Sequence, residues 1–248
     1  MMDAMWAARS GLLANQRALS LTGNNLANLA TPGYKRTRSL FAANLVQNMG
    51  KGAGPLVAGL PQVLRGTGVS VLGQTRFAQG QFQTTNNPLN AMIVGPGFFA
   101  LQTSQGVSYS RNGAFLLDAQ DRLVNGQGQF VLGQNGKPII VSGTQPVTIG
   151  TNGSVNQGNR VVGQLAVYQF ANPNGLLATS GGGYIPSANS GPAKAVTPSL
   201  RVGGLESANV HIAKSMTNLV KSQNAYAVNA EMLSVANGMD KLAEHILP

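Results

Sequence analysis

The 248 residues suffice for one large domain or two ordinary ones with a real core, and 43% hydrophobic content excludes wholesale disorder. Zero cysteines exclude a disulfide framework, a thiolate metal site and a Cys nucleophile. Charged residues are only 10% of the chain, where about 25% is typical, and 17 Lys+Arg against 7 Asp+Glu leave a net charge of +10. Such a surface carries little charge repulsion and suits a protein packed against neighbours.

The first predicted element is a helix over about 3–30, in which Met5, Leu12, Leu19 and Leu26 recur every seven residues. A column of Ala8, Asn15, Thr22 and Leu29 runs three residues behind it. One strong column beside a small or polar one makes a helix-packing seam. Thr31-Pro32-Gly33 ends it, because proline cannot continue a helix and glycine accepts the turn. The N-terminal run Met1-Met2-Asp3-Ala4 lacks the basic and apolar regions of a secretory signal, so export by another route is expected.

Residues 37–75 read as an extended linker with short strands at best, rich in Gly, Ala, Leu and Val around Pro55 and Pro61. From 76 to 204, short apolar runs alternate with turn signals. Strands are predicted at 91–94, 98–101, 114–117, 129–132, 138–141, 147–149 and 161–170. Asn112-Gly113, Asn125-Gly126, Asn135-Gly136, Asn152-Gly153 and Asn174-Gly175 punctuate them, with Gly95-Pro96-Gly97 as a sixth turn. Asn-Gly is a strong hairpin signal because both residues accept positive φ. Together these predict an antiparallel β domain.

The last predicted element is a helix over about 208–246, ~58 Å long at 1.5 Å per residue against ~42 Å for the first. Met216, Leu219, Gln223, Tyr226, Ala230 and Leu233 form one heptad seam. Met232, Val235, Met239, Leu242 and Ile246 form a second, one residue round. A long helix with a narrow seam needs a partner helix, and the other terminus supplies one. The fold class is therefore α+β: residues 1–36 plus 205–248 form a coiled-coil helical domain, 37–75 a linker, and 76–204 an inserted β domain.

Catalytic chemistry finds little footing. His211 and His245 are far apart on one helix without other ligands, so no metal site is expected. Asp118 and Asp121 sit in a predicted turn, where Asp commonly bonds its own backbone. No catalytic set and no cofactor site emerges, and the chain is read as a non-enzyme. Between 37 and 204 ten bases face only Asp118 and Asp121. They are scattered singly, whereas nucleic-acid binding wants clustered bases with aromatics, so no nucleic-acid partner is expected. No apolar run reaches the roughly 18 residues of a membrane span.

The segment Asn24-Asn25-Leu26-Ala27-Asn28-Leu29-Ala30-Thr31-Pro32-Gly33-Tyr34-Lys35-Arg36 resembles the signature of the flagellar rod and hook axial proteins. Gly66–Val69, Gln79-Gly80, Thr84–Leu89, Gly95–Phe99, Tyr109–Gly113, Glu206–Val210 and Gln223–Tyr226 resemble further segments of that family in order. Length and the Gly/Pro/Leu stretch at 47–65 are most similar to its distal-rod branch. The resemblance implies a structural subunit of the flagellar basal body, exported by the type III route. It implies a homopolymer that meets neighbouring rod and hook subunits, while the basic middle of the chain suggests a surrounding envelope ring of acidic or sugar-polymer character as a further partner. Residues carried over for assembly are Asn24, Asn25, Leu26, Asn28, Thr31, Gly33, Tyr34, Asn209, Val210, Gln223 and Tyr226, beside the seam residues above. Asn224 and Ala227 stand where the family usually has Arg and Glu, and His211 and Lys214 replace common acids, so contacts made by those charges do not carry over. A rod paralogue or hook-type protein is the alternative within the family. Outside it, the alternative is a secreted polysaccharide-binding β protein, which needs exposed aromatics in a chain that is 6% aromatic.

Overall fold

The computed structural model describes residues 2–44, 68–143, 145–179 and 181–246, so the stretch at 47–65 lies outside the described residues. The fold is α+β, with two compact units: Met1–Leu26, Thr37–Gln74 and His211–Pro248 form one, Ala27–Arg36 and Thr75–Val210 the other.

The first unit holds α1 (Met2–Ala27), α2 (Ile212–Ile246) and a two-stranded sheet of β1 (Thr37–Asn44) and β2 (Gly68–Thr75). The covered face of α1 consists of small and polar residues. Ala14, Ala18, Thr22 and Asn25 are buried, while Leu12, Leu19 and Leu26 on the predicted seam are half-buried. Gly11 extends the small-residue face towards α2: a Cβ there would lie 3.0 Å from the Asn229 amide nitrogen. Gly73 of β2 comes close to Thr37 and to the Leu21 side chain in the same way.

Both helices are shorter than the periodicity predicts. The first stops at Ala27, because the Thr31 N–H turns back to the Asn28 carbonyl and the chain leaves the helical path before the proline. The second starts at Ile212 rather than 208, because Ser207 and Asn209 spend their backbone amides on Gln81 and Tyr34 in the β unit.

The second unit carries β3 (Phe82–Thr84), β4 (Ala91–Ile93), β5 (Phe98–Thr103), β6 (Gly106–Ser110), β7 (Phe115–Leu117), β8 (Leu123–Asn125), β9 (Phe130–Val131) and β10 (Val147–Ile149). These are followed by β11 (Ser154–Gln157), β12 (Arg160–Gln164), β13 (Val167–Gln169), β14 (Leu177–Ala178), β15 (Tyr184–Ile185), β16 (Lys194–Val196), β17 (Leu200–Val202) and β18 (Gly204–Glu206). Strands β14-β15-β6-β5-β9-β8-β7, with β13 and β16 joined beside β5, make the main sheet. Strands β10-β11-β12 make a second, and β4 with β17 and β3 with β18 form pairs. The ladders of this unit are antiparallel.

Strand β5 is buried on both faces, so its alternate residues feed two cores. Phe99 and Leu101 join Phe115, Leu123, Val131, Val155 and Leu165 on one side. Phe98 and Ala100 join Tyr109, Leu132, Phe170 and Tyr184 on the other.

Two strand expectations fail. Residues 138–141 make only isolated bridges, Leu132 with Pro138 and Arg122 with Ile140, since proline offers no N–H to a ladder. The apolar run 161–170 breaks in two: Leu165 donates to Gly153 and Ala166 to Leu132, and the chain passes from the sheet of β11 to that of β5.

Candidate functional site

The signature segment divides between the two units. Asn25, in the last turns of α1, uses its amide twice on one residue: Nδ2 donates to the Thr37 carbonyl (2.7 Å) and Oδ1 accepts from the Thr37 N–H (2.8 Å). This side chain copies the bond pattern of a β partner and closes the excursion 26–36 at its base. A buried Asn satisfied on both ends is strongly position-specific.

Beyond that clamp, 27–36 folds with the β unit. Gly33 has φ of +70° and its N–H donates to the Glu206 carbonyl (2.7 Å). A Cβ there would lie 2.5 Å from the Arg111 carbonyl carbon, so glycine answers both the left-handed conformation and the close backbone approach. Tyr34 is half-buried, and its carbonyl accepts from the Asn209 N–H.

The Asn209 side chain binds two chain segments at once. Its Oδ1 accepts from the Arg36 N–H (2.7 Å), and its Nδ2 donates to the carbonyls of Arg76 (2.7 Å) and Ala78 (2.8 Å). The Arg76 N–H in turn donates to the Arg36 carbonyl (2.9 Å). Segments 35–36, 76–78 and 209 are thus tied into one junction. Residues 27–36 and 205–210, read from the sequence as part of the helical region, belong to the β unit for this reason.

Beneath the junction lies a buried charge cluster that the sequence reading left without a role. Lys35 Nζ donates to Glu206 Oε1 (2.6 Å) and to the Ala78 carbonyl (2.9 Å). The same carboxylate oxygen accepts from the Gly80 N–H (2.6 Å). Arg111 Nη1 stands 3.6 Å from Glu206 Oε2, and the Arg111 guanidinium lies 5.2 Å from the centre of the Phe98 ring. The Lys35 and Glu206 side chains are fully buried and Arg111 is 3% exposed. Burial pushes the Lys35 ammonium and the Arg111 guanidinium below their usual ranges, and the Glu206 charge opposes the fall in both. All three residues lie in quoted family segments. The available signal was Glu206 itself, the one acid between Asp121 and Glu231.

The remaining predicted residues range from exposed to buried. Asn24 and Thr31 are exposed and Asn28 half-buried, with the Thr31 hydroxyl donating to Asn28 Oδ1 (3.2 Å). Val210 is buried. On α2, Leu219 and Leu233 are half-buried, in line with Ser215, Ser222 and Asn229, while Gln223 is exposed. Met216, Val220, Tyr226, Val228, Met232, Val235 and Met239 are exposed. Of Met5, Leu242 and Ile246 only the helical backbone is described. A long helix thus covers small residues and presents methionine and valine to solvent, the reverse of an ordinary surface helix.

Three family models match: the flagella basal body rod protein over 5–35, the flagellar hook protein FlgE/F/G D1 domain over 92–157, and the flagellar basal body rod FlgEFG protein C-terminal over 201–244. The flagellar basal-body rod protein FlgG of Borreliella burgdorferi is 31% identical, covering 99% of this chain and 99% of that protein. The chain belongs to the flagellar rod and hook family. FlgG of Bacillus subtilis is also 31% identical over 96% of both chains, and FlgF of Mesorhizobium japonicum is 26% identical over 94% of this chain and 92% of its own. The rod-protein model ends at Arg36's neighbour Lys35, so it contains Asn25 and the Gly33 turn and stops short of the clamp's partner Thr37. Among the described residues no group of His, Asp and Glu is arranged to hold a metal ion, and no helix is long and apolar enough to cross a membrane.

Proposed function

We propose that this protein is a structural subunit of the distal rod of the bacterial flagellar basal body. It polymerises into a helical tube that transmits torque and surrounds the export channel. Near-full-length similarity to basal-body rod proteins of the FlgG kind carries the reading. In the polymer, the exposed apolar band of α2 and the leucine column of α1 (Leu12, Leu19, Leu26) face helices of neighbouring subunits as coiled-coil seams. Heterologous contacts that do not close generate such filaments. The protein acts mechanically and not as an enzyme, beyond the cytoplasmic membrane, with rod and hook subunits as its axial neighbours.

The β unit supports a second element of the proposal. Arg76, Lys137, Arg160, Lys194 and Arg201 are exposed on it. A basic outer surface of this kind turns inside an acidic ring of the envelope with few specific contacts.

The test is complementation joined to electron microscopy. A host lacking its own distal-rod subunit regains rods and swimming when this chain is supplied, and purified chain forms filaments. A chain that stays monomeric at all concentrations and restores neither rods nor swimming overturns the proposal.

A further inference from the structure

On the β unit a cleft of about 350 Å³ is lined by Phe77, Phe98, Phe170, Pro96, Gln169 and Arg111, among others. On its aromatic side Phe98 meets Phe77, Phe170 and Tyr184 edge-on, with ring centres 5.4, 5.8 and 5.8 Å apart. Arg111, 4% exposed, is the charged residue of the lining. Its Nε and Nη1 are buried and have no hydrogen-bond partner.

The neighbouring carboxylate does not satisfy them. Glu206 Oε1 is taken by Lys35 and Gly80, and Oε2, at 3.6 Å from Nη1, is too far to accept a hydrogen bond. Two buried cations thus share one anion. A guanidinium with unpartnered donors and a surplus positive charge is matched by a second carboxylate, which accepts a charge-assisted N–H···O bond. Phe77, Phe98, Phe170, Pro96 and Pro173 make most of the wall, with Gln79 and Gln169 beside them, so the rest of the ligand is mainly apolar. The volume sits at the small end of ligand sites.

We propose that this cleft receives a carboxylate carried on a small apolar body, held by Arg111 and seated against Phe98 and Phe170. The carboxylate is supplied either by a free organic acid or by an acidic side chain of a second copy of the chain. The site itself does not depend on the rod reading, because the ligand binds the isolated subunit.

The experiment follows the Arg111 Nε–H and the Phe98 and Phe170 ring resonances of the full-length monomer by NMR during titration with sodium benzoate, against sodium chloride at equal ionic strength. Saturable shifts with benzoate alone are expected. Arg111→Lys, which keeps the charge and loses the planar guanidinium with its Nε donor, weakens binding at least tenfold. Gln169→Trp, which crowds the exposed rim and leaves the buried cluster untouched, also weakens it. Unchanged Leu101 and Leu165 amide shifts certify the fold of each variant. Shifts identical to those with chloride, or saturation at the same benzoate concentration in both variants, overturn the proposal. Without benzoate, an Arg111 shift that grows with protein concentration and is competed away by benzoate assigns the carboxylate to a second copy. A concentration-independent signal with benzoate binding intact assigns it to a free acid.

Discussion

Asn25 and Thr37 exchange two hydrogen bonds across eleven intervening residues, the side-chain amide of one matching both backbone groups of the other. The clamp sets where the chain returns from the signature excursion, so its loss is felt at Thr37 before it is felt globally. Asn25→Asp keeps the acceptor and sets a carboxylate against the Thr37 carbonyl. We expect it to cost about 1–3 kcal/mol, the cost of leaving a buried polar group unsatisfied. Hydrogen exchange at the Thr37 amide and urea unfolding measure it, and unchanged exchange contradicts the clamp.

Removing the anion from the buried cluster is expected to hurt more than removing one cation. Glu206→Gln leaves Lys35 and Arg111 charged and buried together, at about 3–5 kcal/mol. Lys35→Met leaves Glu206 still accepting from Gly80 with Arg111 nearby, and fills the space with apolar atoms, so a smaller loss is expected. Denaturant midpoints of the two variants give the order, and the reverse order refutes the account.

Gly33→Ala tests whether the turn needs glycine for conformation and for room. The left-handed backbone alone costs about 1–2 kcal/mol, and the added methyl meets the Arg111 backbone. A loss above about 2 kcal/mol is expected on the same principle. A near-neutral result shows that the segment relaxes away from Arg111.

Stability is expected to fall as pH rises above 10. Burial raises the hydroxyl pKa of Tyr184, Tyr109 and Tyr34 above the usual 10, with the Tyr34 charge adding to the rise at Tyr184 and the Arg111 charge opposing it. The unfolded chain then releases its tyrosine protons near pH 10 while the fold holds them. The stabilisation is fully present below that pH and is lost towards the raised folded values. Tyr184→Phe should flatten the decline in thermal midpoint between pH 9.5 and 11 (about half a unit below and a full unit above the ordinary tyrosine value), and an unchanged slope rejects the assignment.

The exposed band of α2 separates assembly from folding. Val235→Lys with Met239→Lys changes two solvent-facing side chains, 58% and 53% exposed. Monomer stability should shift by no more than about 0.5 kcal/mol per site, as surface changes do. Filament formation, seen by electron microscopy and sedimentation, should be lost. Filaments of normal yield place the seam elsewhere.

Much of the architecture was legible. Heptad recurrence announced both terminal helices, and of the five Asn-Gly turns Gly136 and Gly153 take positive φ, whereas Gly113, Gly126, Gly175 and all five asparagines do not. The ends were harder. Asn209 reads as the opening of a helix, but its side chain is claimed by Arg36, Arg76 and Ala78, which are 173, 133 and 131 residues away. No local window contains those partners. The run 161–170 fails for a related reason: an apolar string does not reveal that its two halves pair with different sheets.

What the sequence alone determined is the kind of molecule: a long helix at each end of the chain with an antiparallel β domain between them in sequence, and a rod-and-hook signature between Asn24 and Arg36. Periodicity and turn chemistry are local and survive in a string of letters. The tertiary structure decided what the signature does. It splits the segment between two units, pins Asn25 to Thr37, and buries Lys35 with Glu206 and Arg111 from positions 171 residues and a whole sheet apart. Charge pairing in a dry interior depends on distance in space, and only folding sets that distance.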